Sequence, residues 1–236
     1  MARYTLYYWP IPFRGEFIRA LLRLAGQSYD EPDPDEVTEL KLRAPVDQPV
    51  PFMGPPVLMD HEAGAAISQM SAILRYVAGQ HGLMPDDAAP VALTDKIIAD
   101  SNDVLDELTL FGGRSMWTLG EWESFVEDRL PRWMAIFEEG ARRQNVTEDA
   151  GYLTGDRVLL ADVVMAVLWG VMTQKLPQLR PMLEHHAPRV AGLSERVLAF
   201  PAVAELRREN NARWGNFYCG GQIEASIRDM LTRHGV

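Results

Sequence analysis

One cysteine, Cys219, stands in 236 residues, so the chain can form no internal disulfide and no CxxC redox pair. Basic residues are outnumbered as well: 23 Lys and Arg face 33 Asp and Glu, a net charge of −10. No cationic run or basic stripe with interleaved aromatics occurs, which excludes nucleic acid as an expected partner. No apolar run is long enough to span a bilayer, since Val158 to Ala161 and Val163 to Gly170 are parted by Asp162. Met1-Ala2-Arg3-Tyr4 carries no signal-peptide pattern and leads straight into a strand-like stretch, so the expected setting is cytoplasmic, with no membrane partner. What the chain does have is core. Hydrophobic residues make up 47% and charged ones 24%, the two signs mixed along the sequence, as in one large or two modest folded domains.

Tyr4 to Tyr8 is rich in β-branched and aromatic residues and reads as a strand, and Pro10 and Pro12 turn the chain after it. Phe17, Ile18, Leu21, Leu22 and Ala25 then recur at helical spacing up to Gly26. Residues 28–50 are polar and proline-rich, with one helical turn expected near Val37 to Arg43. Val57 to Met59 predicts a second strand, a turn and short partner strand follow, and Ser68 to Gln80 predicts a helix. Beyond Asp87 the strand signal stops. Helices are expected over Ala88 to Leu110, Leu119 to Arg143, Ala161 to Val171, Gln178 to Glu184, Arg189 to Leu198, Val203 to Asn210 and Gln222 to Arg233. The expected organisation is an α/β domain over residues 1–82, a linker over 83–90, and an all-helical domain with a C-terminal extension over 91–236.

Taken singly, the polar residues near the turns have ordinary readings. Tyr8 is a packing aromatic at a strand end, Arg14 a solvated charge at a helix start, and Gln69 a cap. Their arrangement carries more. A double proline, Pro55-Pro56, opens an apolar run, and a helix then begins at Gln69, which gathers backbone amides and a helix N-terminus around one small space suited to a small anionic peptide.

Thr5-Leu6-Tyr7-Tyr8-Trp9-Pro10-Ile11, followed by Arg14-Gly15 and Ile18-Arg19, resembles the opening of the cytosolic glutathione transferases that use a catalytic tyrosine. Tyr8-Trp9 is most like the mu class, whereas Arg14, six residues after the tyrosine, matches the alpha, pi and sigma classes. Gln69 to Tyr76 is similar to the family's Gln-Ser-x-Ala-Ile-x-Arg-Tyr motif, and Leu153-x-Gly155-Asp156 with Ala161-Asp162 is similar to its helix-six signature. The resemblance runs from about residue 3 to about residue 210.

It implies a thioredoxin-like N-terminal domain, an all-α C-terminal helical domain and a two-fold homodimer, with glutathione as co-substrate, no metal, and a hydrophobic small-molecule electrophile as second substrate. Tyr8 would stabilise the glutathione thiolate by donating a hydrogen bond, and Arg14 would add positive charge or hold a carboxylate. The tripeptide would lie against Tyr8, Trp9, Arg14, Pro55, Pro56, Gln69 and Met70, with Asp103 reaching a neighbouring subunit's ligand and Phe52 serving as the aromatic key between subunits. The second substrate would be lined by Tyr7, Ile11, Phe111, Met116, Trp117, Trp214 and Phe217, with Gly112-Gly113 opening a rim. Cys219 reads either as a reactive thiol or as an incidental one.

Three positions depart from the pattern. Pro55 precedes the cis-proline position and lacks the N–H usually offered to the peptide, leaving its carbonyl. Met70 replaces the serine whose hydroxyl binds the γ-glutamyl carboxylate, and Ser71, rotated by about 100° on a helix, should point elsewhere. Leu159 replaces the Ser or Thr cap, so Asp156 or Thr154 is expected to cap from an earlier start. The first two departures keep open a second function, a binding or interaction module on the same fold with weak catalysis. A thiol–disulfide oxidoreductase would need a cysteine between Tyr8 and Arg14, and none is there.

Overall fold

The structure is a computed structural model that describes residues 2–233, so Met1 and the last three residues of the expected 91–236 domain lie outside the described residues. In β1 (Tyr4–Tyr7), alternation buries Tyr4 and Leu6 and leaves Thr5 and Tyr7 half-buried on the other side. α1 (Arg14–Leu24) sinks Phe17, Ile18, Leu21 and Leu22 into the core. In the 28–50 region one element is new and one is longer than expected. β2 (Tyr29–Asp30) pairs in parallel with β1 and is too short to show any alternation in sequence. α2 (Pro34–Leu42) is longer than the single turn expected: Pro34 has a φ already suited to the first helical turn, and Asp35 and Glu36 favour the helix's positive end.

β3 (Val57–Asp60) runs antiparallel to β1, and β4 (Ala65–Ser68) antiparallel to β3, giving the order β2-β1-β3-β4. α3 (Met70–Gln80) packs beside α1. Asp60, buried where β3 ends, accepts hydrogen bonds from Arg3, the Tyr76 hydroxyl at 2.9 Å and the N–H groups of Glu62 and Ala63, tying strand, turn and helix together.

The second half is helical: α4 (Ala88–Leu108), α5 (residues 119–143), α6 (residues 160–175), α7 (Arg180–His186), α8 (Pro188–Leu198), α9 (Pro201–Trp214) and α10 (Gly221–Arg233). α5 and α6 each contain one wide π turn, Phe125–Arg129 and Val167–Val171. The first sits just before Pro131, whose missing N–H an α turn could not use. α6 is buried on all sides from Leu160 to Thr173 and packs on α4, α8 and α1, so both halves share one hydrophobic core. Among the described residues no helix is long and apolar enough to cross a membrane.

The start of α6 corrects one expectation. The helix begins no earlier than Leu160, and neither Asp156 nor Thr154 caps it; the Thr154 hydroxyl is buried without a partner. The Leu159 side chain has no acceptor to offer. Instead the buried Asp162 carboxylate accepts the N–H of Leu159 at 2.9 Å and of Leu153 at 2.8 Å, which pins the preceding loop and supplies half of a capping box.

Candidate active site

Tyr8 is the first residue beyond β1, and strand alternation continues it inward with Tyr4 and Leu6. Its ring, 5% exposed, lies flat on the first turn of α1 because position 15 is glycine. A Cβ there would stand 2.3 Å from the ring's Cδ1, far inside contact distance. The N–H of Arg14 donates to the Tyr8 hydroxyl oxygen at 3.1 Å. That satisfies the oxygen as acceptor and leaves the phenol's own proton to be given elsewhere. Burial pushes the Tyr8 hydroxyl up to about 12, against the pull of Arg14 and Arg19, so it stays a neutral donor at any physiological pH.

The loop after Tyr8 is held from below by a residue whose role the sequence did not single out. Arg19, 1% exposed, donates to the carbonyls of Trp9 and Ile11, both at 2.9 Å, and pairs with Glu31 at 2.7 Å. Its guanidinium lies over the Trp214 ring, 4.9 Å from the centroid, and Glu16 beside it accepts from Asn210 of α9 at 2.6 Å. The loop that borders the tyrosine is therefore tied to the helical half.

Tyr8, Trp9, Ile11, Arg14, Pro55 and Met116 border one cavity of about 640 Å³. Its other wall consists of Thr109, Gly112 and Gly113 after α4 and of residues 219–223 before and at the start of α10. Across its edge the Arg14 guanidinium pairs with Asp106 of α4 at 2.5 Å. Asp106 was not read from the sequence, although it follows Asp103 by one helical turn and so lies on a neighbouring face.

The remaining expected residues are placed elsewhere. The Pro55–Pro56 peptide is cis, and Pro56 itself is buried. Gln69 has a positive φ of 74° and is exposed, whereas the Met70 side chain is packed into the core, leaving only its backbone at the α3 N-terminus. Ser71 lines a separate cleft with Arg75, Asp95 and Asp103, between α3 and α4. There burial, followed by Asp100, Asp106 and Glu107, raises the Asp103 carboxyl above its usual range. Tyr7 faces away from Tyr8 and does not reach the cavity. Phe111 and Trp117 border a neighbouring cleft of about 390 Å³, where Trp117 is buried against Trp122 and Phe125 and donates its indole N–H to the Leu108 carbonyl. Trp214 belongs to a cavity of about 580 Å³ behind α1, and Phe217 is 61% exposed. Each of these aromatics is near the site in sequence, but the direction it faces is set by packing.

Comparison with known proteins places this arrangement. The sequence model of the glutathione S-transferase C-terminal domain matches residues 93–230. A glutathione S-transferase of Plasmodium yoelii yoelii is 22% identical over 147 residues, 61% of this chain and 66% of that protein. The hematopoietic prostaglandin D synthase of Gallus gallus is 24% identical over 204 residues, 86% of this chain and 94% of that protein. The solved Pi-class glutathione S-transferase of Onchocerca volvulus superposes with a TM-score of 0.73 at 21% identity, over 93% of this chain and 98% of that one. The thioredoxin-like sheet with its helical partner is thus a shared fold, and because the domain model covers more than half of the sequence, the chain belongs to the glutathione S-transferase family.

Proposed function

We propose that the chain is a glutathione transferase that turns the glutathione thiol into a thiolate at Tyr8 and directs it at a hydrophobic electrophile in the adjoining cavity. The observation that carries this reading is the Tyr8 hydroxyl itself: buried, neutral, accepting from the Arg14 N–H, and bordering the cavity with its proton free. A free thiol has a pKa of about 8.5, so only a few per cent is ionised at neutral pH. Lowering it by about two units requires roughly 3 kcal/mol of preferential stabilisation of the thiolate. One charge-assisted hydrogen bond from a desolvated phenol contributes about 1.5–3 kcal/mol, and the nearby Arg14 cation adds to it. Conjugation, peroxide reduction and isomerisation would all begin with this same sulfur.

Trp9, Pro55 and Pro56 would flank the tripeptide, with Gln69 and the backbone N–H of Met70 at its γ-glutamyl end. The reading extends to a cytoplasmic, two-fold homodimer in which Phe52, half-buried next to the 90% exposed Met53, meets the partner, and Asp103 faces the partner's ligand. A second reading is favoured by Met70 and Pro55: with no hydroxyl and no N–H at those positions, the fold would serve as a binding or interaction module with weak catalysis.

The deciding experiment is a calorimetric titration with glutathione, followed by the ultraviolet thiolate band of the complex from pH 5 to pH 9. We expect saturable binding and a thiolate that persists below pH 7 in the wild type, with its pKa moved up by about two units in Tyr8→Phe. Binding with no thiolate band below pH 8 would favour the module. Absence of binding at millimolar glutathione would remove the transferase reading and leave an interaction module whose ligand or partner lies elsewhere.

A further inference from the structure

One wall of the cavity is a short strap, residues 219–223, that leads from the segment after α9 into the first turn of α10. It touches both halves of the molecule. A Cβ at Gly220 would lie 3.6 Å from the Ile11 side chain, and a Cβ at Gly113 would lie 3.3 Å from the Ile223 side chain. At its root the Tyr218 ring packs edge-on against Phe13, with centroids 5.4 Å apart.

One buried carboxylate organises this strap. Glu224, 4% exposed, accepts the N–H of Tyr218 at 3.0 Å and of Gly220 at 2.5 Å, and it is held in turn by both Nε and Nη2 of Arg228, at 2.8 and 2.7 Å. Arg228 also donates to the carbonyls of Asn216 and Lys175, which ties the clasp to α6. The Ser226 hydroxyl accepts the Trp117 N–H at 3.0 Å, fixing α10 to the segment that follows Gly113. A buried carboxylate with a cation and two backbone donors is costly to break, because removing one partner leaves the others unsatisfied.

We propose that Glu224 is a specificity-determining residue: by clasping the strap across the cavity, it limits the size of the second substrate that can reach the sulfur at Tyr8. Glu224 does not border the cavity; it acts through the position of Gly220 and Ile223. The assignment rests on the transferase reading for the identity of the sulfur, but the closure of the strap can be measured without glutathione.

Cys219, the chain's single cysteine, sits in the strap and borders the cavity, so it reports access directly. Burial, followed by the Glu224 charge, pushes its thiol up to about 12, and any variant at 224 alters that acidity. The ratio of labelling rates for a bulky and a small maleimide cancels the acidity and reads access alone. With pyrene maleimide and N-ethylmaleimide, we expect Glu224→Ala, which removes the acceptor, to raise that ratio at least tenfold and Arg228→Gln, which leaves both backbone bonds of Glu224 in place, to raise it about threefold. In conjugation assays the specificity constant for a multi-ring electrophile, relative to 1-chloro-2,4-dinitrobenzene, should rise in parallel while the KM for glutathione stays within twofold. An unchanged maleimide ratio in either folded variant overturns the proposal. If Glu224→Ala does not fold, Arg228→Gln alone decides it. Absence of conjugation in the wild type, with an altered maleimide ratio in the variants, would leave the strap assignment standing and remove the transferase reading instead.

Discussion

Each half of the molecule buries an aspartate, and the two are held by different means. In the α/β half, buried charges meet opposite charges: Arg19 lies with Glu16 and Glu31, and Asp60 with Arg3. In the helical half, Glu224 meets Arg228, but the equally buried Asp162 accepts from the N–H groups of Leu153 and Leu159. The effect shows in their acidity. Burial alone would raise the Asp60 carboxyl, but Arg3, the Ala63 N–H and Tyr76 hold it at about 2, whereas burial carries Asp162 up to about 6 against its two backbone donors. The cavity walls divide in the same way. The Tyr8 side is set by side chains locked through hydrogen bonds and close packing, and the opposite side is mostly backbone, with glycines at 112, 113, 220 and 221.

The largest expected effect comes from breaking the packing on the Tyr8 side. Gly15→Ala places a Cβ 2.3 Å from the Tyr8 ring, and the ring must move by about an ångström or the helix must back away. A displacement of that size at a reacting group costs about a hundredfold in turnover. We expect kcat to fall by about that factor while the calorimetric affinity for glutathione falls less than tenfold. Wild-type turnover in Gly15→Ala would mean that the ring is not held by α1 during the reaction.

This difference also decides what could be read from the sequence. Tyr8, Arg14 and Pro55 lie on short stretches of chain whose geometry is local: a strand end, a helix start, a proline turn. Five of the residues expected around the second substrate, Tyr7, Phe111, Trp117, Trp214 and Phe217, do not border the cavity, because which side chains meet it is decided by packing partners far away in sequence. The strap was legible only as an amphipathic segment, since Glu224 reads as an ordinary helix charge until Tyr218 and Gly220 fold back on it. β2 was missed for a simpler reason: two residues carry no period.

The contrast between the two aspartates predicts pH dependences of opposite sign. Asp60 has a depressed folded-state pKa, so its contribution to stability is present above about pH 4 and is lost as the pH falls toward 2. Asp162 holds its proton more tightly in the folded than in the unfolded state, so its contribution is complete below about pH 4 and is lost as the pH rises to about 6. The loss amounts to about 3 kcal/mol, two units at about 1.4 kcal/mol each. Urea unfolding at pH 4 and pH 6.5 measures it. The stability of the wild type relative to Asp162→Asn should fall by about 2–3 kcal/mol between those two pH values, and a constant difference would mean that the carboxylate is stabilised by its two N–H donors as fully as Asp60 is by Arg3.

The smallest effect tests the backbone wall, and its sign is what matters. Leu110, Phe111, Gly112 and Gly113 have φ values of 46°, 55°, 75° and 81°, a left-handed turn that includes two residues with a Cβ. Gly113 N–H closes it on the Thr109 carbonyl at 2.7 Å, and the Thr109 hydroxyl accepts the Gly112 N–H at 3.2 Å. A left-handed residue with a side chain costs about 1–2 kcal/mol. Phe111 is 63% exposed, so its ring contributes little burial to offset that cost. Phe111→Gly removes the strain and adds about 0.5–1 kcal/mol of unfolded-state entropy, for a net gain of about 0.5–1 kcal/mol or a few degrees in Tm. In a right-handed continuation of α4 the same substitution would instead lower stability by about 1 kcal/mol. A thermal melt therefore tells the two backbones apart by the direction of the shift, and a fall in Tm would replace the glycine wall with a helix end that turns its side chains toward the cavity.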